Sequence, residues 1–303
     1  MAAAAIGVDV GGTGLKAALC QPDGTVLAEA RTATPAGVPA VLAAIGDLVG
    51  TLTERATELR VEPRGVGLSL PGMVDAAAGI ARYSANLGWR DLPIRDLVAE
   101  RVGLPVAIDH DARTAGLAEL RLGAARGATE ALYLSLGTGI GAAPISRGEV
   151  LAGADGLSGE LGHLPAMPGG EPCPCGQVGC TERYASAAAL GRRYREATGE
   201  PADAEQVIAR AAAGDPVARR VFDQAIEALA RALVCYTVLL DPALIVVGGG
   251  LSLAGAQLLD PLGAKLAEGL PWRPAPALVP ASFGADSGRI GAALLGWRAG
   301  TGG

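Results

Sequence analysis

The sequence predicts an α/β protein, and three observations carry that reading. Four short apolar runs each break off at a glycine turn, helical stretches lie between them, and one glycine turn returns with its neighbours in the second half of the chain.

The runs are Ile6–Val10 before Gly11-Gly12-Thr13-Gly14, Val66–Leu70 before Pro71-Gly72, Leu132–Leu136 before Gly137-Thr138-Gly139, and Leu244–Val247 before Gly248-Gly249-Gly250. Apolar runs of this length flanked by glycine read as buried strands that deliver loops to a common edge.

The clearest helix runs from Pro216 to Leu240. Asp215 suits its N-cap and Pro216 its first position, while Val217, Val221, Ala225, Leu229 and Leu233 recur every four residues. A last helix from about Ser287 to Trp297 shows the stripe Ile290, Ala293, Leu294, Trp297.

The segment Gly12-Thr13-Gly14-Leu15-Lys16-Ala17-Ala18 resembles Gly137-Thr138-Gly139-Ile140-Gly141-Ala142-Ala143. Each copy follows a strand and opens a hairpin, which suggests two related halves with a ligand cleft between them. With 303 residues the chain has room for two domains. The expected division is residues 1–120 and 121–286, with the C-terminal helix, 287–303, packing back onto the first.

Composition excludes several classes. Half the residues are hydrophobic and 18% are charged, which is a packed globular chain rather than a disordered one. A net charge of −6 without a basic cluster gives no footprint of a nucleic-acid binder. The small apolar start lacks a basic signal-peptide region. The longest apolar stretch, Ala225 to Val247, is broken by Glu227, Arg231 and Asp241, so no membrane span is expected. The expected location is the cytoplasm.

In Asp9-Val10-Gly11-Gly12-Thr13-Gly14-Leu15-Lys16, glycines let backbone N–H groups approach phosphate oxygens as an anion-binding nest. Asp9 would hold or orient Mg²⁺ through water, and Thr13 and Lys16 would donate to phosphates. The same glycines also suit a plain hairpin turn. Gly137-Thr138-Gly139 offers the same backbone chemistry, and Gly248-Gly249-Gly250 either passes a nucleotide base or ribose or is a loose connection.

In Ile108-Asp109-His110-Asp111-Ala112 a strand enters a helix. Phosphoryl transfer to an alcohol needs a carboxylate that accepts the hydroxyl proton. Asp111 suits that role, with Asp109 as the rival, and Asp111 could equally cap the helix from Ala112 to Leu122.

Of five cysteines, Cys20 and Cys235 read as small apolar residues. Cys173, Cys175 and Cys180 crowd behind His163 and read as a Cys₃His zinc set with no open position, hence structural, with free thiols in a loop as the alternative. Glu160 and Glu182 flank that set; carboxylates accept pairs of sugar hydroxyls, although surface glutamates are commonly just solvated.

Together these residues resemble the ROK family (repressors, open reading frames and kinases) of the actin-like ATPase superfamily, from Ile6 to about Ile290. The most specific stretch is Gly159-Glu160-Leu161-Gly162-His163 followed by Cys173-Pro174-Cys175-Gly176-Gln177-Val178-Gly179-Cys180-Thr181-Glu182. The resemblance implies two actin-like, ribonuclease H-like domains around a central cleft, with a zinc-binding loop. It implies ATP-dependent phosphorylation of a hexose such as glucose, with ATP, Mg²⁺ and structural Zn²⁺. Asp111 would be the base. Gly72, Asn86, His110, Glu160, His163 and Glu182 would contact the sugar, with His163 also on zinc.

Gly11, Gly12, Thr13, Gly137, Thr138 and Gly139 match phosphate loops, and Gly249 and Gly250 the adenosine motif. Family glucokinases usually carry Asn where this chain has His110, which leaves an N-acetylhexosamine or other hexose as alternative substrate. A non-catalytic sugar sensor and polyphosphate as donor stay open. Family analogy implies a homodimer or homotetramer. The short lead before Ile6 leaves no room for the winged helix of family repressors.

Overall fold

The computed structural model describes residues 2–302. They fall into two compact units. The first holds the chain up to Arg126, Val150–Ser158 and the residues from Asp286 on; the second holds Gly127–Glu149 and Gly159–Ala285.

The first unit begins with strands β1 (Ala2–Val10), β2 (Gly14–Cys20) and β3 (Val26–Ala33), then helix α1 (Val38–Glu58) and β4 (Val61–Leu70). A small antiparallel sheet follows, β5 (Met73–Asp75), β6 (Ile80–Ser84) and β7 (Trp89–Leu92). Then come α2 (Ile94–Val102), β8 (Val106–His110) and α3 (Asp111–Arg121). The main sheet has the order β3-β2-β1-β4-β8: β3, β2 and β1 pair antiparallel, while β1, β4 and β8 run parallel. Its core packs Ile6, Val8, Leu15 and Leu68 against Ile45 and Leu52 of α1.

The second unit holds β9 (Ala131–Leu136), β10 (Ile140–Ser146) and β11 (Glu149–Val150), the short helix α4 (Glu182–Ala185), α5 (Ala187–Thr198), α6 (Ala204–Ala212) and α7 (Pro216–Leu240), then β12 (Leu244–Gly248), α8 (Ala256–Glu268) and β13 (Ala277–Pro280). Its sheet order is β11-β10-β9-β12-β13, with β9, β12 and β13 parallel and β10 antiparallel to β9. Counted within each unit, the two sheets have one strand order. The echoed glycine segments are the first hairpin turn of each sheet, with Val10 opposite Leu15 and Leu136 opposite Ile140. The four apolar runs are therefore strands of two sheets rather than one, two in each.

Helix α7 matches its sequence bounds. Asp215 accepts N–H bonds from Val217 at 2.8 Å and Ala218 at 3.1 Å, and Val221, Ala225, Leu229 and Leu233 are buried. The last helix, α9 (Ser287–Thr301), belongs to the first unit and extends past Trp297 until Gly302 closes it at φ 72°. Its most closely packed face is made of small residues rather than of the larger apolar ones in its stripe. A Cβ at Gly7 of β1 would sit 2.0 Å from Arg289 O, and one at Gly67 of β4 would sit 1.8 Å from Ala292 O. Glycine at both positions lets helix and sheet backbones touch.

Candidate active site

Strand register assembles the first unit's polar groups. Arg31, Lys16, Asp9, Ser69 and Asp109 are successive neighbours across β3, β2, β1, β4 and β8. Lateral neighbours in a sheet share a face, so residues far apart in sequence form one polar row.

Within that row the Ser69 hydroxyl donates to Asp9 Oδ1 at 2.7 Å. Gly288 at the start of α9 leaves the space that Asp9 needs, since a Cβ there would stand 2.9 Å from the carboxyl carbon. Burial raises the Asp9 carboxyl above its ordinary value; Ser69 pulls it down, Asp111 pushes it up again, and Lys16 and Arg289 offset only part of this. An anion so poorly compensated is one that a cation would relieve, and this is the feature that fits Asp9 to Mg²⁺. Lys16 lies on β2 opposite Asp9, outside the glycine turn.

The turn itself is tied at both ends. Gly11 N–H donates to Gly14 O at 3.0 Å, Thr34 N–H to Thr13 O at 3.2 Å, and the Thr34 hydroxyl to Gly11 O at 2.6 Å. Asn86, in the β6–β7 turn, has its Cβ 3.7 Å from where a Cβ on Gly12 would be. Gly72 turns at φ 91° against Tyr83 O. The sequence-predicted Gly12 and Asn86 are therefore neighbours, with Gly72 packed on the strand that leads to Asn86.

The two rival carboxylates have different surroundings. Asp109 Oδ1 receives Arg113 Nε at 2.8 Å, Arg113 Nη2 at 2.6 Å and the His110 N–H at 2.7 Å. Arg113 is 1% exposed and also donates to Gly156 O at 2.6 Å. Asp111 is the first residue of α3 rather than its cap, and its side chain is 48% exposed. Its Oδ1 receives the Ala112 N–H at 2.6 Å and lies 3.2 Å from His110 Nε2. Asp109 is thus committed to a structural pair while Asp111 faces outward.

Ser69 and Arg113 escaped the sequence reading, and each had a signal. Ser69 is a polar residue inside a buried apolar strand, and Asp109 and Arg113 have the four-residue spacing of a helical ion pair.

In the second unit the Gly159–His163 segment folds onto β10. Gly159 turns at φ 95°, where a Cβ would meet Ala142 O at 2.0 Å, and Ala142 N–H donates to Gly159 O at 2.9 Å. Glu160 is exposed ahead of a 3₁₀ turn, Leu161–His163. Glu182 opens α4, and its Oε2 accepts the Ile140 N–H at 2.7 Å beside Gly139. It therefore braces the Gly137–Gly139 turn, a contact that the sequence did not suggest.

His163, Cys173, Cys175 and Cys180 bring four ligand atoms within 4.8 Å of one another. Cys175 and Cys180 sulfurs lie 3.6 Å apart, and Cys173 Sγ is 3.9 Å from His163 Nδ1. Tetrahedral zinc with bonds of about 2.3 Å needs ligands about 3.8 Å apart, so the donor set fits that ion. Nδ1 faces the sulfurs, which leaves Nε2 for another partner. Glu171 anchors the loop between Arg192 at 2.5 Å and Arg193 at 2.7 Å.

Gly249, at φ 79°, fits against Leu136 O at the end of β12. Gly250 lines a cavity of about 550 Å³ with Leu251, Leu253, Ala254, Ile208 and Gln257. Among the described residues no helix is long and apolar enough to cross a membrane.

The ROK family model matches residues 5–298, and this chain belongs to that family. A glucokinase from Halalkalibacterium halodurans is 33% identical, over 96% of this chain and 94% of its own. Among solved structures, the ROK hexokinase of Thermus thermophilus superposes with a TM-score of 0.88 at 35% identity, covering 99% of this chain and all of its own. A ROK family glucokinase from Streptomyces griseus in complex with glucose and AMPPNP gives 0.86 at 32% identity, covering 97% and 99%.

Proposed function

We propose that this chain is an ATP-dependent hexose kinase, with glucose as its leading substrate and glucose 6-phosphate as product. One observation supports the chemistry above the others: Asp109 is locked to Arg113 while Asp111 stands half exposed at the head of α3.

Asp111 accepts the proton of a sugar hydroxyl as that oxygen bonds to the γ-phosphorus. The bond from phosphorus to the β–γ bridging oxygen breaks, ADP leaves, and Asp111 returns its proton to solvent. The N–H groups of Gly12, Thr13, Thr138 and Gly139 hold phosphate oxygens, Gly11 and Gly137 close the two turns with their own N–H groups, and Lys16 adds positive charge. Asp9 would hold Mg²⁺ through water, and the ion supplies charge neutralisation at the β- and γ-phosphates. The base and ribose take the cavity beside Gly249 and Gly250.

Asn86, Glu160, Glu182 and the free Nε2 of His163 pair with sugar hydroxyls, and Gly72 offers its backbone. His163, Cys173, Cys175 and Cys180 would hold zinc, which would fix His163 in one tautomer. The enzyme acts in the cytoplasm as a homodimer or homotetramer, which light scattering would resolve.

A panel of hexoses with ATP, read by ADP release, tests the substrate. Preference for an N-acetylhexosamine would replace glucose in this reading, and phosphorylation from polyphosphate alone would replace ATP. Saturable sugar binding without ADP would make the chain a sensor.

A further inference from the structure

His110 stands directly before the proposed base and is 8% exposed. As the last residue of β8 it pairs with Leu70, and its carbonyl accepts the buried Thr114 hydroxyl at 2.9 Å, so its backbone is held from two sides. Its ring Nε2 is 3.2 Å from Asp111 Oδ1, the same oxygen that takes the Ala112 N–H. Of the nearby carboxylates, Asp109 is paired with Arg113 and Asp9 with Ser69.

We infer that His110 is a positioning residue for Asp111 rather than a contact for the sugar. Its Nε2–H and the Ala112 N–H both engage Oδ1, fixing the carboxylate plane and leaving Oδ2 as the oxygen that meets the substrate hydroxyl. An imidazole whose Nε2 proton is spent on Asp111 cannot use it to choose between sugar hydroxyls. Discrimination then passes to Asn86, Glu160, Glu182 and His163. This inference rests on the kinase reading for its kinetic consequence, but the contact itself can be read without turnover.

The chain has only two histidines, His110 and His163, so a histidine-¹⁵N-labelled sample gives two resolvable sets of ring signals. His110→Asn assigns them by deletion. Asp111→Ala, with its fold checked by circular dichroism, is expected to move the His110 ring signals and leave those of His163 in place. If neither set moves, the pairing does not exist and the inference is overturned, whatever the enzyme does.

In steady-state kinetics His110→Ala should lower kcat about ten- to a hundredfold, the worth of a hydrogen bond to a charged group. The sugar KM should stay within about twofold. His110→Asn and His110→Gln, which keep a donor, should recover part of the loss. A raised KM with unchanged kcat would make His110 a sugar contact and overturn the inference. Absent turnover in the wild type would count against the kinase reading alone, since the ring signals still report the pair.

Discussion

Arg113, wholly buried in the first turn of α3, grips Asp109 through both Nε and Nη2, and so ties one of the two carboxylates into an ion pair. The pair brackets Asp111 and also ties Gly156 to the head of the helix. Replacing Asp109 by Asn leaves a buried guanidinium without its counter-charge. That should cost about 3–5 kcal/mol of stability, seen as a lower thermal midpoint. A midpoint equal to wild type with turnover abolished would instead make Asp109 the base.

The zinc set should be as much a folding element as a ligand site. Protein purified under reducing conditions is expected to carry one zinc per chain, and structural sites contribute on the order of 10 kcal/mol of apparent binding energy. Chelation should disorder the His163–Cys180 loop and weaken sugar binding through His163 and Glu182, leaving nucleotide binding less affected. Elemental analysis that finds no zinc would remove this part of the account.

Gly159 offers a sharper test of the same loop. Its φ of 95° and the 2.0 Å approach to Ala142 O leave no room for a methyl group. Gly159→Ala should cost about 2–3 kcal/mol from strain and displacement and should weaken sugar binding measured by calorimetry. An unchanged midpoint would mean that the loop is not held as described.

Acid should loosen the second unit partly through Asp215. The Ala218 N–H, then the Tyr194 hydroxyl and the Val217 N–H, hold its carboxyl below the ordinary 3.8. A lowered folded value means that the stabilisation is full above about pH 3.8 and is lost as pH falls through the folded value. Asp215→Ala should therefore lower the midpoint at neutral pH, with the gap to wild type closing in acid. A gap independent of pH down to the acid transition would contradict the assignment.

How much of this the sequence revealed depends on the range of each interaction. The strands were legible because parallel strands buried on both faces are plain apolar runs, and α7 because its cap and stripe are local. The cluster of His163 with Cys173, Cys175 and Cys180 was legible because its spacing is short. The polar row from Arg31 to Asp109 was not, since register between strands is long-range. The same holds for α9, whose tight packing uses Gly7 and Gly67 on strands far away in the chain. Glu182 read as a sugar contact, yet one of its oxygens serves the Ile140 N–H, a backbone role that composition cannot signal.

The role of Asp111 is settled most directly by the turnover of Asp111→Asn with ATP and the preferred hexose, beside calorimetric binding of that sugar. The account predicts kcat lowered by roughly 10²–10⁴ with the sugar still bound, the range for loss of a general base. Turnover near that of the wild type in a folded Asp111→Asn protein would contradict it.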